Sequence, residues 1–247
     1  MLHELRYNRN PEFGSDFYPS DTPPPDQEDP DEGFEETEYA LALNGIFSGW
    51  DVAFYYADIV NDAFRPELVS VFPTLETRLQ HDRLDFYGAA LNIAWGNWLV
   101  KTEAAYLEGF RFFNTEDETF ARIDLLAGLE YSGLRDTTIS LEVANRHVVN
   151  FDEKLTDSPD ETVEDDTQSV LRLTRSFINE TLEFTLLAVL YGTSQDDGAL
   201  QRFSMDYDID DAWMCRMGVV AYQAGDRPPT EHVEDNDRLF LELKYSF

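Results

Sequence analysis

Charged side chains recur at every second position in several stretches of this chain. In 202–209, for example, polar or charged residues alternate with Phe203, Met205, Tyr207 and Ile209. Acids and bases on one face of a sheet set up a transverse field, which selects polar solutes without turnover chemistry. We therefore predict a pore-lining role for the charged residues at such positions: Lys101, Glu103, Arg122, Asp124, Glu130, Glu142, Arg146, Arg172, Arg202, Asp206, Asp208, Arg216, Glu242 and Lys244.

Residues suited to nucleophilic catalysis are scarce. His147 is predicted to share a strand face with Asn145, and this neighbourhood resembles that of the catalytic residues of an outer-membrane phospholipase. No serine lies two residues from His147, however, and the sequence has no glycine-rich phosphate loop. Cys215 falls at an apolar position, where we interpret it as packing. We predict that the protein is not an enzyme and has no catalytic residues; an outer-membrane lipid hydrolase is the alternative.

Acidic residues dominate the charge of the chain. The net charge is −32, from 50 acidic and 18 basic residues, which argues against a nucleic-acid partner. The acids concentrate in predicted loops near 9–37 and 149–167. Clustered carboxylates can bind divalent cations, but the spacing of an EF-hand loop is missing, so solvated loops are the simpler interpretation. We predict no metal and no cofactor; a structural barrel whose loops bind a cation or a surface partner is a further alternative.

The elements that would position these residues are β-strands. Period-two alternation is repeated along the chain, and no convincing amphipathic helix is present. It predicts strands at 38–47, 50–58, 84–95, 97–109, 122–131, 137–148, 168–177, 182–191, 202–209, 213–220 and 238–247, with a weak first strand at 2–8. The fold class is therefore all-β, with about 12 strands in a single domain over residues 1–247.

The connections between these strands alternate in length. Short ones centre on 48–49, 96–97, 132–136, 179–180 and 210–211 and contain turn residues such as Gly, Asn and Asp. Long ones span about 9–37, 59–82, 110–120, 149–167, 192–201 and 224–237. This alternation is typical of an antiparallel up-and-down transmembrane β-barrel, with short turns on one side of the membrane and long loops on the other.

The orientation of the two faces distinguishes a membrane barrel from a soluble β-sandwich, which is the alternative. Strands of this length with an unbroken apolar face match a tilted membrane strand. Trp and Tyr residues recur near strand ends, as in the interfacial girdles of membrane proteins: Trp50, Trp95, Trp98, Tyr131, Trp213 and Tyr245. We therefore expect the apolar face to meet lipid and the charged face to line an aqueous interior.

The C-terminal residues carry a resemblance of their own. Leu243, Tyr245 and Phe247 alternate with Lys244 and Ser246 at the end of the sequence. This ending resembles the assembly signal of bacterial outer-membrane barrels, although Glu242 stands where that signal usually has glycine. The resemblance implies the barrel-assembly machinery as a partner.

A second resemblance covers about residues 80–150. The segments 98–106, 122–131 and 139–147 are similar to an uncharacterised family of proteobacterial outer-membrane proteins. Members of that family are longer, which implies that this chain is a C-terminal part. Their genes lie near lipid or aromatic catabolism genes and near exporters of the RND class. The resemblance implies traffic of apolar or amphipathic small molecules, in association with an exporter system.

Together these observations predict a channel or transport-associated barrel in the bacterial outer membrane. Outer-membrane lipid and lipopolysaccharide are the expected surroundings. The start of the sequence lacks the basic and apolar regions of a signal peptide, so we expect a mature form or a fragment.

Overall fold

The computed structural model describes residues 26–27, 37–70, 76–115, 118–193, 197–226, 230 and 233–246. These residues form an all-β structure, and the helices among them are short 3-10 turns. None of these helices is long and apolar enough to cross a membrane. The strands are β1 (Asp26–Gln27), β2 (Tyr39–Phe47), β3 (Trp50–Ser70), β4 (Glu76–Trp95), β5 (Trp98–Phe110), β6 (Phe120–Leu134), β7 (Thr137–Val149), β8 (Asp165–Phe177), β9 (Leu182–Tyr191), β10 (Ala199–Asp208), β11 (Trp213–Gln223) and β12 (Arg238–Tyr245).

Strands β2 to β12 form one antiparallel sheet in which every strand pairs with its neighbours in the sequence. Eleven of the predicted strands are therefore confirmed, although β3 and β4 are much longer than predicted and the other strands differ by a few residues at their ends. The predicted strand at 2–8 lies outside the described residues. The twelfth strand of the sheet is instead β1, a two-residue segment that pairs parallel with β4.

Apart from the connection between β3 and β4, the connections alternate in length as predicted, and this alternation distinguishes the two ends of the sheet. At one end, tight turns join the strands, and Gly49 and Asp136 adopt the positive φ angles (86° and 53°) that such turns demand. The described parts of the connections 111–119, 150–164, 192–198 and 224–237 lie at the other end. We call these the turn end and the loop end.

The predicted long connection at 59–82 is largely wrong. Both flanking strands continue through most of it, with a register shift between Val60 and Phe64. Arg65 on β3 forms an ion pair with Asp82 on β4, with a distance of 2.9 Å from Nε to Oδ1. The strand prediction depended on apolar alternation, which is absent from this part of the hairpin. Polar pairs of this kind connect its two strands instead.

The strands are staggered along the sheet. The row of paired residues that contains Trp50 at the turn end of β3 reaches Ala221 on β11. The turn end of β11, at Trp213, lies eight residues away from Ala221. At about 3.4 Å per residue and about 4.8 Å per strand, this stagger corresponds to a tilt of about 35°. Strands that close into barrels have a tilt of this size.

The two faces of the sheet differ in both chemistry and exposure. The apolar face carries exposed large hydrophobic side chains, among them Leu141, Leu171 and Phe203. The polar face carries the charged residues and also buried positions of the sheet, including Leu84, Leu107, Val148 and Val220. A soluble sheet covers its apolar face and exposes its charges, so the distribution here is inverted.

The sheet is open within the described residues, because β2 and β12 do not pair with each other. Both strands run from the loop end to the turn end. Direct pairing of β2 with β12 would therefore be parallel. Antiparallel closure requires an odd number of further strands between them.

Candidate functional site

The predicted pore-lining residues share the polar face. Strand register places them on this face at every level from the turn end to the loop end. Period two alone accounts for this agreement, because side chains alternate between the faces of a strand. Their pairing partners on neighbouring strands, described below, depend on the register and were not predicted.

Arg216 is the centre of a charged group near the turn end. Its Nε and Nη2 donate to the two carboxylate oxygens of Asp206, at 2.8 and 2.7 Å. Its Nη1 lies 3.9 Å from Oε2 of Glu242 on the other neighbouring strand. The three residues occupy one row across β10, β11 and β12, so this part of the face is locally neutralised.

Lys101 is the centre of a second group. Its Nζ lies 3.8 Å from Glu130 and 3.6 Å from Glu142. Gly128 stands between Lys101 and Glu142 in the register. A Cβ at Gly128 would lie 3.1 Å from Cγ of Glu142 and 3.5 Å from Cβ of Lys101. The glycine therefore leaves room for the lysine and the glutamate to approach across β6.

Arg122 connects the polar face with the loop end. It donates two hydrogen bonds of 2.7 Å to Asp124 on the same strand, and its guanidinium lies 4.8 Å from the centre of the Phe110 ring. Pairing within one strand is possible because residues two apart point to the same side. Arg122 thus presents a neutralised, ring-stacked surface rather than a free charge.

A cavity of about 560 Å³ opens beside Arg122 at the loop end. Its wall combines apolar side chains such as Leu107 and Phe120 with the Arg65–Asp82 ion pair, in which both side chains are about nine-tenths buried. We call this space the mouth cavity. It suits a molecule with an apolar body and a polar group, because both kinds of wall are present. Arg65 and Asp82 escaped the sequence prediction because they lie in the segment assigned to a loop.

Two loops form the roof of the mouth cavity. The carboxylate of Asp160 accepts hydrogen bonds from the backbone N–H groups of Phe113 and Asn114, at 2.9 and 2.8 Å. Leu155 is fully buried and packs with Phe120 and Val148. The acidic loop 150–164 is thus an ordered part of the structure, in contrast to the solvated loop that its composition suggested. The other predicted acidic loop, 9–37, lies mostly outside the described residues.

Four of the predicted residues have no ion-pair partner in the described part of the chain: Glu103, Arg146, Asp208 and Lys244. Arg172 and Arg202 also lack one, and they are considered below. Arg238, Thr174, Thr185 and Ser204 share the polar face as well. The sequence prediction did not include the three hydroxyl residues, because it selected charged residues only.

Aromatic residues cluster at the turn end of the apolar face, as predicted. Trp98 contacts Tyr131 with ring centres 4.3 Å apart, and Trp213 contacts Tyr245 at 4.7 Å. A second group, Tyr56, Tyr87 and Tyr106, lies toward the loop end. Leu243 and Tyr245 of the predicted assembly signal lie on the apolar face of β12, whereas Phe247 lies outside the described residues.

A polar cluster interrupts the apolar face near the loop end of β7 and β8. Asp165 Oδ1 lies 3.1 Å from Nδ1 of His147 and accepts a 2.8 Å hydrogen bond from Asn145. Thr167 donates its hydroxyl to Asn145 rather than to the histidine.

The same cluster brings potential ligand atoms of His147, Glu164 and Asp165 within 4.8 Å of one another. A divalent cation fits such a donor set. The hydrogen bonds within the cluster also account for its geometry without an ion. Among the described residues, no serine hydroxyl contacts His147, so the cluster lacks the nucleophile of a serine hydrolase.

Comparisons with known proteins place the chain in a family but not beside a characterised relative. No curated protein and no solved structure matches this chain. A family model described as "Protein of unknown function (DUF1302)" matches residues 8–247, nearly the whole chain. The chain therefore belongs to the DUF1302 family.

Proposed function

We propose that this protein is a β-barrel of the bacterial outer membrane that passes small apolar or amphipathic molecules. It acts as a channel or as part of a transport system, and not as an enzyme. The observation that carries the proposal is the inverted sheet: large apolar side chains are exposed on one face, whereas the charged face contains buried positions.

Lipid explains the exposed apolar face. Leu141, Leu171 and Phe203 are exposed on strands of 10 to 13 residues, long enough for a tilted strand to cross the hydrocarbon core. The aromatic groups at the two ends of this face match interfacial girdles. The stagger of the strands corresponds to the tilt of closed barrels. In a closed barrel, an odd number of further strands lies between β12 and β2.

The polar face then becomes the wall of an aqueous path. Its ion pairs around Lys101 and Arg216 neutralise charge on partly exposed side chains, while other polar side chains remain available to solutes. The mouth cavity lies at the loop end of this path and offers both apolar and charged walls. A solute that entered from the loop end would meet this cavity before it reached the charged groups around Lys101 and Arg216.

The proposal also names the surroundings of the protein. Outer-membrane lipid and lipopolysaccharide contact the apolar face, and the barrel-assembly machinery recognises β12. An exporter system is the expected partner in transport. The channel is favoured over a lipid hydrolase because no serine hydroxyl contacts His147 among the described residues, and Thr167 donates its hydroxyl to Asn145.

Channel currents through cysteine variants test this proposal. The full chain carries Cys215→Ala, which removes the single native thiol, and then either Glu103→Cys or Thr102→Cys. These adjacent positions point to opposite faces of β5. We expect single-channel conductance in planar bilayers, and a charged methanethiosulfonate reagent should reduce it only in Glu103→Cys. A folded, inserted protein without conductance would overturn the channel, and equal block at both positions would overturn the assignment of the faces.

A further inference from the structure

Three arginines on the polar face stand in one row of paired residues. Arg172 on β8, Arg202 on β10 and Arg238 on β12 are separated by Leu187 and Val220 on the strands between them. Successive arginines are therefore two strands, or about 9.6 Å, apart. We call Arg172, Arg202 and Arg238 the arginine row.

None of the three arginines forms an ion pair within the described part of the chain. Arg172 donates through Nε to the hydroxyl of Thr174 at 3.3 Å, and Arg238 donates to the hydroxyl of Tyr222 at 3.0 Å. The guanidinium of Arg202 lies 5.0 Å from the centre of the Phe240 ring, and its buried Nε has no hydrogen-bond partner. Buried donors are normally satisfied, so the unpaired Nε of Arg202 requires an explanation.

The carboxylates around the arginine row are largely engaged elsewhere. Asp206 and Glu242, toward the turn end, contact Arg216. Glu130, which lies in the same row, and Glu142 in the adjoining row contact Lys101. The positive charge of the arginine row is consequently not compensated by its neighbours, although the chain as a whole is strongly acidic.

A row of hydroxyl groups runs beside the arginine row, two residues toward the turn end. It comprises Thr138, Thr174, Thr185 and Ser204, which are successive partners in the register. The hydroxyl oxygens of Thr174 and Thr185 lie 3.5 Å apart, and Ser204 is buried. We call these four residues the hydroxyl row. Guanidinium and hydroxyl groups together donate the hydrogen bonds that a carboxylate accepts.

We propose that the arginine row and the hydroxyl row form a binding site for small organic anions, namely carboxylates with an apolar body. This inference rests on the proposed channel and names the class of solute that the channel selects. The arginines bind the carboxylate, and Leu187, Val220 and Phe240 contact the apolar body. The acidic net charge does not oppose such a site, because salt screens charges that lie more than about 10 Å away.

Equilibrium binding tests the site without requiring a current. The probe is 4-fluorobenzoate, followed by ¹⁹F NMR in neutral detergent, with 4-fluorobenzylamine as its cationic counterpart. We expect the benzoate to bind more tightly than the amine. Arg202→Gln should weaken benzoate binding by about tenfold or more, since a hydrogen bond to a charged group is lost. Arg202→Lys keeps the charge and should retain most of the binding.

Arg172→Gln and Arg175→Gln form a matched pair. Both arginines lie on β8, but Arg175 is on the opposite face, with its guanidinium 4.8 Å from the centre of the Phe177 ring. Only Arg172→Gln should weaken benzoate binding. Equal affinity for the two probes, or equal effects of the two substitutions in samples with native circular dichroism, would overturn the anion site.

Bilayer currents separate this inference from the proposed function. Anion binding without conductance would uphold the site and overturn the channel. Conductance without a preference for benzoate would uphold the channel and overturn the site. When both hold, the reversal potential in a KCl gradient should indicate anion selectivity and shift toward cation selectivity in the triple Arg→Gln variant of the arginine row.

Discussion

The guanidinium of Arg216 on β11 meets the carboxylate of Asp206 on β10 in a two-pronged hydrogen bond, with distances of 2.8 and 2.7 Å. The two residues are direct partners across the two strands, so the ion pair depends on the register of the hairpin. A shift of one residue would bring Arg216 opposite an apolar side chain. The pair therefore favours one register for this hairpin on the polar face.

Removing one partner of this pair should cost more than removing both. Arg216→Gln leaves Asp206 without its partner, and Asp206→Asn leaves Arg216 with only the more distant Glu242, whereas the double variant removes both charges of the pair. We expect a coupling free energy of about 1 kcal/mol, kept small by solvent screening of these partly exposed side chains. Denaturant unfolding of the four proteins in lipid vesicles measures it. Strictly additive effects would show that the two side chains do not interact.

The orientation of the faces predicts opposite effects for two adjacent substitutions on β8. Leu171→Lys places a charge on the apolar face, whereas Val170→Lys places it on the polar face, opposite Glu142. In a membrane we expect Leu171→Lys to reduce the free energy of unfolding by about 2–4 kcal/mol, the cost of lysine near the bilayer midplane. Val170→Lys should cost much less.

Denaturant unfolding in vesicles measures both β8 variants. The reverse order, with Val170→Lys the more damaging, would indicate that the polar face is a packed interior. A wild-type chain that remained dispersed in buffer without detergent would contradict the membrane orientation as well.

The roof of the mouth cavity should open when its buried leucine is truncated. Leu155→Ala removes a fully buried side chain, a change that typically costs about 2–5 kcal/mol. Because Leu155 lies in a loop, we expect local opening rather than loss of the sheet. Trypsin should then cleave faster after Lys154, whose side chain is exposed. Glu153→Gln at the neighbouring exposed position is the control and should leave the cleavage rate unchanged, whereas equal rates in all three proteins would contradict the packed loop.

The strands and their faces could be predicted from the sequence because both are local properties. Leu239, Leu241 and Leu243 alternate with charged or aromatic residues within one segment, and alternation of side chains is inherent in an extended chain. The turns could be predicted for the same reason, since Gly49 and Gly96 provide the positive φ angles that tight connections require. Sequence patterns thus determined the all-β class, the order of hairpins and the membership of the polar face.

The extended hairpin and the mouth cavity could not be predicted in this way. Arg65 and Asp82 form an ion pair across two strands that lack apolar alternation, and the roof of the cavity depends on Asp160 reaching the backbone of a separate loop. Contacts of this kind join residues that are distant in the sequence. No local pattern marks such contacts.

Tertiary structure alone decided which charges are neutralised. In the sequence, Arg202 and Arg216 look alike, as bases at alternate positions of neighbouring strands. The register places Arg216 against Asp206 and leaves Arg202 between Leu187 and Val220. Side-chain alternation follows from each strand by itself, whereas pairing follows from the stagger between strands. For that reason the charged face could be predicted from the sequence, whereas its uncompensated arginines could be identified only from the pairing of strands in the sheet.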